Sequence, residues 1–277
     1  MEYKKIDLGK ELPASNAAVY LYLIDYTQKI PISERPMIVI CPGGGYAYTS
    51  DREAEMIALQ FLAMGYHAAV LRYSVAPVVF PAALLELGKT VALLRENARE
   101  WGIDSTKIVI AGFSAGGHLA LSYGVYWNRP WVAEKLKTDT SILQPNALIL
   151  GYPVVTSGQH AHQDSMHNLL GDEYDSKKED MSLEKHIGQQ VPRSFVWHTC
   201  EDASVPVQNS LLLVNELIKN HIPTEFHMFE KGKHGLALAN RLTATADGLS
   251  VNAAAAEWIH LVHTWLEEWI LQSSDFE

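Results

Sequence analysis

Apolar positions along the chain fall into two rhythms. Short runs at 19–26, 37–41, 67–71, 108–111, 147–151, 194–199 and 224–229 are dominated by apolar residues, and several show no alternation with polar ones. Alternation disappears when neither face of a strand meets water, so these runs predict parallel strands covered on both sides. Between them, 53–64, 82–101, 117–126, 207–220 and 251–271 place apolar residues at helical intervals. From residue 37 onward strand and helix alternate, which predicts an open, mostly parallel α/β sheet with helices on both faces and right-handed crossovers. Ligands gather at the carboxyl ends of the strands in such sheets, so function is expected in the loops that follow them.

No internal repeat or low-complexity tract divides the sequence, and a single domain over 1–277 is the simplest expectation. Residues 156–190 break the rhythm, being polar and rich in His, Ser, Asp and Lys. Long connections in compact domains commonly serve as lids or binding loops. A surface insertion is therefore expected there, with short helical pieces at 167–170 and 182–187 and a position that partly covers the site.

Composition narrows the partners. With 22 Lys and Arg against 32 Asp and Glu, the net charge of −10 repels phosphate backbones and anionic lipid. Nucleic acid and membrane are excluded as expected partners, since no run approaches the roughly 18 apolar residues of a membrane span. The first ten residues lack the apolar core of a secretory signal, which gives a cytoplasmic expectation. Cys41 and Cys200, the two cysteines, are then expected as small buried thiols, and they have no metal-type spacing.

The chemistry begins at Gly112-Phe113-Ser114-Ala115-Gly116-Gly117, directly after the run at 108–111 and leading into a helical stretch. Strand, sharp turn and helix are the setting in which a Gly-x-Ser-x-Gly serine is presented at the top of a sheet. Glycines at 112 and 116 let the two elements approach, and the Ala115 amide at the helix start can face an anion forming beside the hydroxyl. Cys41-Pro42-Gly43-Gly44-Gly45-Tyr46 follows an earlier strand, and its unobstructed amides are expected to supply further donors. A serine needs a base, and the base needs a carboxylate. Asp202 follows the run at 194–199 and His234, between Gly232 and Gly235, follows 224–229, in the order Ser, Asp, His. Glu201 is the rival carboxylate. Of the 12 histidines, His234 alone combines a loop after a strand, flanking glycines and that order. The loose group His160, His162, Asp164 and His167 reads as a solvated polar segment in preference to a metal site.

These residues, with Ser50 to Glu55, Tyr73 to Pro77 and Asp202 to Pro206, resemble the α/β-hydrolase esterases, in particular the compact bacterial group of acetylxylan-esterase-like and hormone-sensitive-lipase-like enzymes. The resemblance covers nearly all of the chain from about residue 19. It implies carboxylic ester hydrolysis with Ser114 as nucleophile, His234 and Asp202 as its partners, and Gly44, Gly45 and Ala115 as oxyanion donors, with no metal or organic cofactor. It departs at Pro42, where lipase-like members have His, and in the 36 residues before Met37, where they carry a longer cap. A small acyl group, such as acetyl on a sugar or xylo-oligosaccharide, is the expected substrate. Tyr46, Tyr73 and Tyr152 are the expected substrate contacts, with Tyr48, Trp127 and Trp131 as further aromatic candidates. An amidase or peptidase on the same three residues, and a silent binding protein, are the alternative readings. The expected partner is a small ester, and a homodimer is the expected assembly.

Overall fold

The computed structural model describes residues 1–10, 12 and 15–274, with side chains through residue 270. Strands β1 (Glu2–Asp7), β2 (Ala18–Leu23), β3 (Arg35–Cys41), β4 (His67–Arg72), β5 (Ile103–Phe113), β6 (Ala147–Gly151), β7 (Arg193–Thr199) and β8 (Thr224–Phe229) form one sheet. Its order is β1-β2-β4-β3-β5-β6-β7-β8. β2 pairs antiparallel with both β1 and β4, and every other pairing is parallel.

The helices are α1 (Glu55–Ala63), α2 (Ala82–Glu96), α3 (Ala98–Trp101), α4 (Ala115–Tyr126) and α5 (Pro130–Leu136) in the first half. They are followed by α6 (Gln163–Leu170), α7 (Tyr174–Lys177), α8 (Gln208–Lys219), α9 (Ala253–Ala256) and α10 (Trp258–Ser274). Period-two geometry sends neighbouring strand residues to opposite faces, and on the central strands β3, β4, β6 and β7 both faces are dry. Met37, Val39 and Cys41 join Leu87, Val91, Leu119 and Leu213 of α2, α4 and α8 on one side. Ile38 and Ile40 join Phe61, Trp258 and Val262 of α1 and α10 on the other. This double cover explains why the strands read as unbroken apolar runs.

The differences from the sequence reading have local causes. β1 is a polar edge strand, with alternate residues exposed, so it carries no apolar run. The predicted helix at 82–101 divides at Asn97, whose side-chain amide turns back to the Leu93 carbonyl, and ends at Gly102 with φ 62°. Residues 156–190 are more firmly seated than a surface insertion: Met166, Leu169, Leu170, Met181 and Leu183 are sunk in the core. Cys41 is buried as expected, whereas Cys200 is exposed, because it lies past the end of β7 in the loop. No helix among the described residues is long and apolar enough to cross a membrane.

Candidate active site

β5 ends at Phe113, and the next residue, Ser114, has φ 54° and ψ −121°. That conformation is unfavourable for a residue with a β-carbon and persists because its surroundings hold it. The Ser114 amide donates to the Gly151 carbonyl at 3.0 Å, and its own carbonyl accepts from the His118 and Val154 amides. Close packing explains the flanking glycines. A β-carbon on Gly112 would lie 2.2 Å from the Gly116 carbonyl oxygen, and one on Gly116 would lie 2.1 Å from that of Cys41.

Ser114, His234 and Asp202 form one hydrogen-bonded line. Ser114 Oγ is 2.7 Å from His234 Nε2, and His234 Nδ1 is 2.6 Å from Asp202 Oδ2. A carboxylate only accepts, so the imidazole proton sits on Nδ1 and leaves Nε2 to accept from the serine hydroxyl. Oδ1 of Asp202 accepts from the Ser204 and Val205 amides at 3.0 and 2.9 Å. The side chain is fully buried, which by itself would raise its pKa. Hydrogen bonds from His198 and His234, the charge of His234 and the Val205 amide outweigh burial and hold the carboxyl well below the usual range. Glu201 instead takes the Gly232 amide at 3.1 Å.

His198 is a residue that sequence reasoning assigned no role. It is fully buried, with Nε2 2.9 Å from the Val205 carbonyl and 3.3 Å from Asp202 Oδ2, and Nδ1 2.7 Å from Ser210 Oγ. Both oxygens facing Nε2 are acceptors, so the proton lies there and Ser210 donates to Nδ1.

In the glycine loop, the Gly43 amide is already engaged, donating to Glu53 Oε2 at 2.8 Å. The Gly44, Gly45 and Ala115 amides have no acceptor among the described residues. Gly44 has φ +126°, and a β-carbon there would lie 2.2 Å from the Tyr48 carbonyl oxygen. Glu53, also without a role in the sequence reading, is buried beneath this loop. Its Oε1 accepts from the Tyr152 hydroxyl at 2.6 Å, and that hydroxyl accepts from the Ala237 amide at 2.9 Å. One carboxylate thereby ties the glycine loop to the segment that follows His234.

The expected substrate contacts Tyr46, Tyr73 and Tyr152 are corrected: all three are buried, at 2%, 3% and 1% exposure. Tyr46 and Tyr152 both have positive φ, 56° and 37°. Tyr46 meets His118 Nδ1 at 3.0 Å, Tyr73 donates to the Pro42 carbonyl at 2.6 Å, and the Tyr152 ring packs against His234 at 5.2 Å. They support the site from below. Trp127 donates to the Gln190 carbonyl and Trp131 packs on Phe80. Tyr48 is the aromatic candidate that lines the open cleft of about 400 Å³ above Ser114.

Residues 156–190 add His162, Asp164 and Asn168 to the wall of that cleft, beside Ser50, Arg52 and Ser204. Asn168 donates to the Gly45 carbonyl at 2.8 Å, which braces the glycine loop. His162 caps α6 by accepting from the Ser165 amide at Nδ1. Burial, with the charge of His234, pushes its pKa below the ordinary value. His167 stacks on Tyr174, with ring centroids 3.8 Å apart.

The BD-FAE family profile matches residues 24–217. The chain is 36% identical over 212 residues to endo-1,4-beta-xylanase B of Butyrivibrio fibrisolvens, covering 75% of this chain and 33% of that protein. It is 31% identical over 163 residues to an acetylxylan esterase of Xylanibacter ruminicola, covering 57% and 30%. The chain thus spans about a third of the length of these two curated relatives. Among solved structures, a carboxylesterase from Lactobacillus plantarum superposes with a TM-score of 0.86 at 30% identity, covering 98% of both chains. An acetyl ester-xyloside bifunctional hydrolase from Caldicellulosiruptor lactoaceticus gives 0.82 at 31% identity, covering 96% of both.

Proposed function

The chain belongs to the BD-FAE family and has the α/β-hydrolase fold, and from that premise we propose that it is a serine carboxylic ester hydrolase that removes short acyl groups, acetyl above all, from sugars or xylo-oligosaccharides. The observation that carries the reading is the line from Ser114 through His234 to Asp202, at 2.7 and 2.6 Å, beside three amides without acceptors among the described residues.

In this mechanism His234 takes the serine proton at Nε2 as Oγ attacks the ester carbonyl, and Asp202 stabilises the imidazolium. The carbonyl oxygen, now negative, lies on the Gly44, Gly45 and Ala115 amides; one such donor is typically worth about 2.7–4 kcal/mol of barrier. Collapse expels the alcohol, which leaves with the proton from His234. Water then enters and attacks the acyl carbonyl as it gives a proton to His234, and collapse releases the acid while Ser114 Oγ takes that proton back from His234. The polar cleft wall of His162, Asp164 and Asn168 supports a hydroxylated alcohol over a lipid. Relatives described as a xylanase, an acetylxylan esterase and an acetyl ester-xyloside hydrolase point to the same substrate class.

The test is turnover of 4-nitrophenyl acetate and of acetylated xylo-oligosaccharide, with stoichiometric labelling by a fluorophosphonate. Wild type should turn over both and take the label on Ser114, and Ser114→Ala should lose turnover and label together. Full activity in Ser114→Ala would end the assignment.

A further inference from the structure

A second groove, of about 510 Å³, opens at the antiparallel edge of the sheet, and its floor is aromatic. Tyr3 of β1 and Tyr22 of β2 are direct cross-strand partners, and Tyr20 stands two residues from Tyr22, so the three rings share one face. Ring centroids lie 5.4 Å apart for Tyr3 and Tyr22 and 6.4 Å for Tyr3 and Tyr20. α1 packs on β3 and β4, further in, and leaves Tyr3 54% exposed.

Polar groups line the wall. Arg72 donates to the Thr49 carbonyl at 2.9 Å and to Asp51 Oδ1 at 2.7 Å, and Glu55 Oε1 accepts from the Tyr22 hydroxyl at 3.2 Å. Two carboxylates disfavour an anion, and so polar a wall disfavours a lipid. Flat rings beside hydroxyl acceptors and a guanidinium suit a neutral ligand with apolar faces and a rim of hydroxyls, which is the chemistry of a sugar.

The groove shares a wall with the cleft at Ser114. Along one stretch of chain that runs from a loop into the 3-10 turn Asp51–Glu53, Tyr48, Ser50 and Arg52 line the cleft while Thr49 and Asp51 line the groove. We propose that this groove is a sugar-binding subsite, holding unreacted units of the same oligosaccharide whose acetyl ester lies at Ser114. The inference rests on the reading of the enzyme as a sugar-ester hydrolase for its ligand, and on the three tyrosines for its place.

The experiment separates the two. The full chain carrying Ser114→Ala, which cannot turn substrate over, is titrated calorimetrically with unacetylated xylohexaose. Binding is expected, weakened about tenfold when Tyr3→Ala is added and restored by Tyr3→Phe, which keeps the ring. In the active enzyme, Tyr3→Ala should raise KM for acetylated xylohexaose by a similar factor and leave kcat/KM for 4-nitrophenyl acetate within about twofold. Absence of xylohexaose binding, binding indifferent to Tyr3→Ala, or equal losses on both esters would overturn the subsite. Tyr3-dependent binding in a wild-type chain unable to cleave either ester would keep the subsite and remove the esterase reading.

Discussion

Nε2 of His198 lies 3.3 Å from Oδ2 of Asp202, the same oxygen that accepts from His234. The carboxylate is thus held between two imidazoles. A hydrogen bond to a charged group is worth about 1.5–3 kcal/mol, and in a buried site its loss falls on the orientation of the acceptor. His198→Phe should lower kcat for 4-nitrophenyl acetate by about tenfold or more, with KM little changed. His198→Gln, which can still donate, should recover part of the loss. Initial rates for the two variants check this, and equal rates in wild type and His198→Phe would contradict it.

The glycine loop makes a stricter demand. Gly44→Ala adds a β-carbon 2.2 Å from the Tyr48 carbonyl at a φ of +126°, so the loop has to move. Displacing one oxyanion donor costs about 10²–10³ in kcat. Gly44→Ala should show that loss, with a far-ultraviolet spectrum like that of wild type.

Glu53 accepts from two donors at once, the Gly43 amide and the Tyr152 hydroxyl. In Glu53→Gln one of them must face an amide NH2 and loses its acceptor in a buried place. The expected cost is about 1–3 kcal/mol, read from the urea midpoint. Activity should fall as well, since both the glycine loop and the His234 segment hang from this carboxylate.

His118 sets an acid limit on stability. Burial pushes its pKa down to about 4, against the opposing pull of the Met181 carbonyl. In the unfolded chain the ring titrates near about 6.5, so between those values the unfolded state binds the extra proton and is favoured as pH falls. The contribution is fully present above about 6.5 and declines by roughly 3 kcal/mol on reaching pH 4. His118→Gln, which can accept from Tyr46 and donate to Met181, should flatten the fall of Tm between pH 6.5 and 4.

The strands were legible because burial on both faces leaves an unbroken apolar run, and β1 was not, because an exposed edge strand has no such run to read. Ser114, Asp202 and His234 were legible through chain order and the glycines beside them. His198 was hidden: within β7 it looks like another strand residue, and only the turn from Asp202 to Val205 brings the carboxylate back to it. Glu53 sat in the recognised stretch Ser50 to Glu55, but nothing linear connects it with Tyr152. The tyrosines misled because each hydroxyl finds a partner inside the protein, His118, the Pro42 carbonyl and Glu53, and nothing in the linear sequence announces those partners.

Helix α6 divides its labour between its sides. Ser165, Met166, Leu169 and Leu170 are buried and fasten it, while Asp164 and Asn168 are turned to the cleft. A change at Asp164 would therefore alter the cleft wall with the buried fastening of the helix left in place, whereas a change at Asn168 would reach the glycine loop through the Gly45 carbonyl.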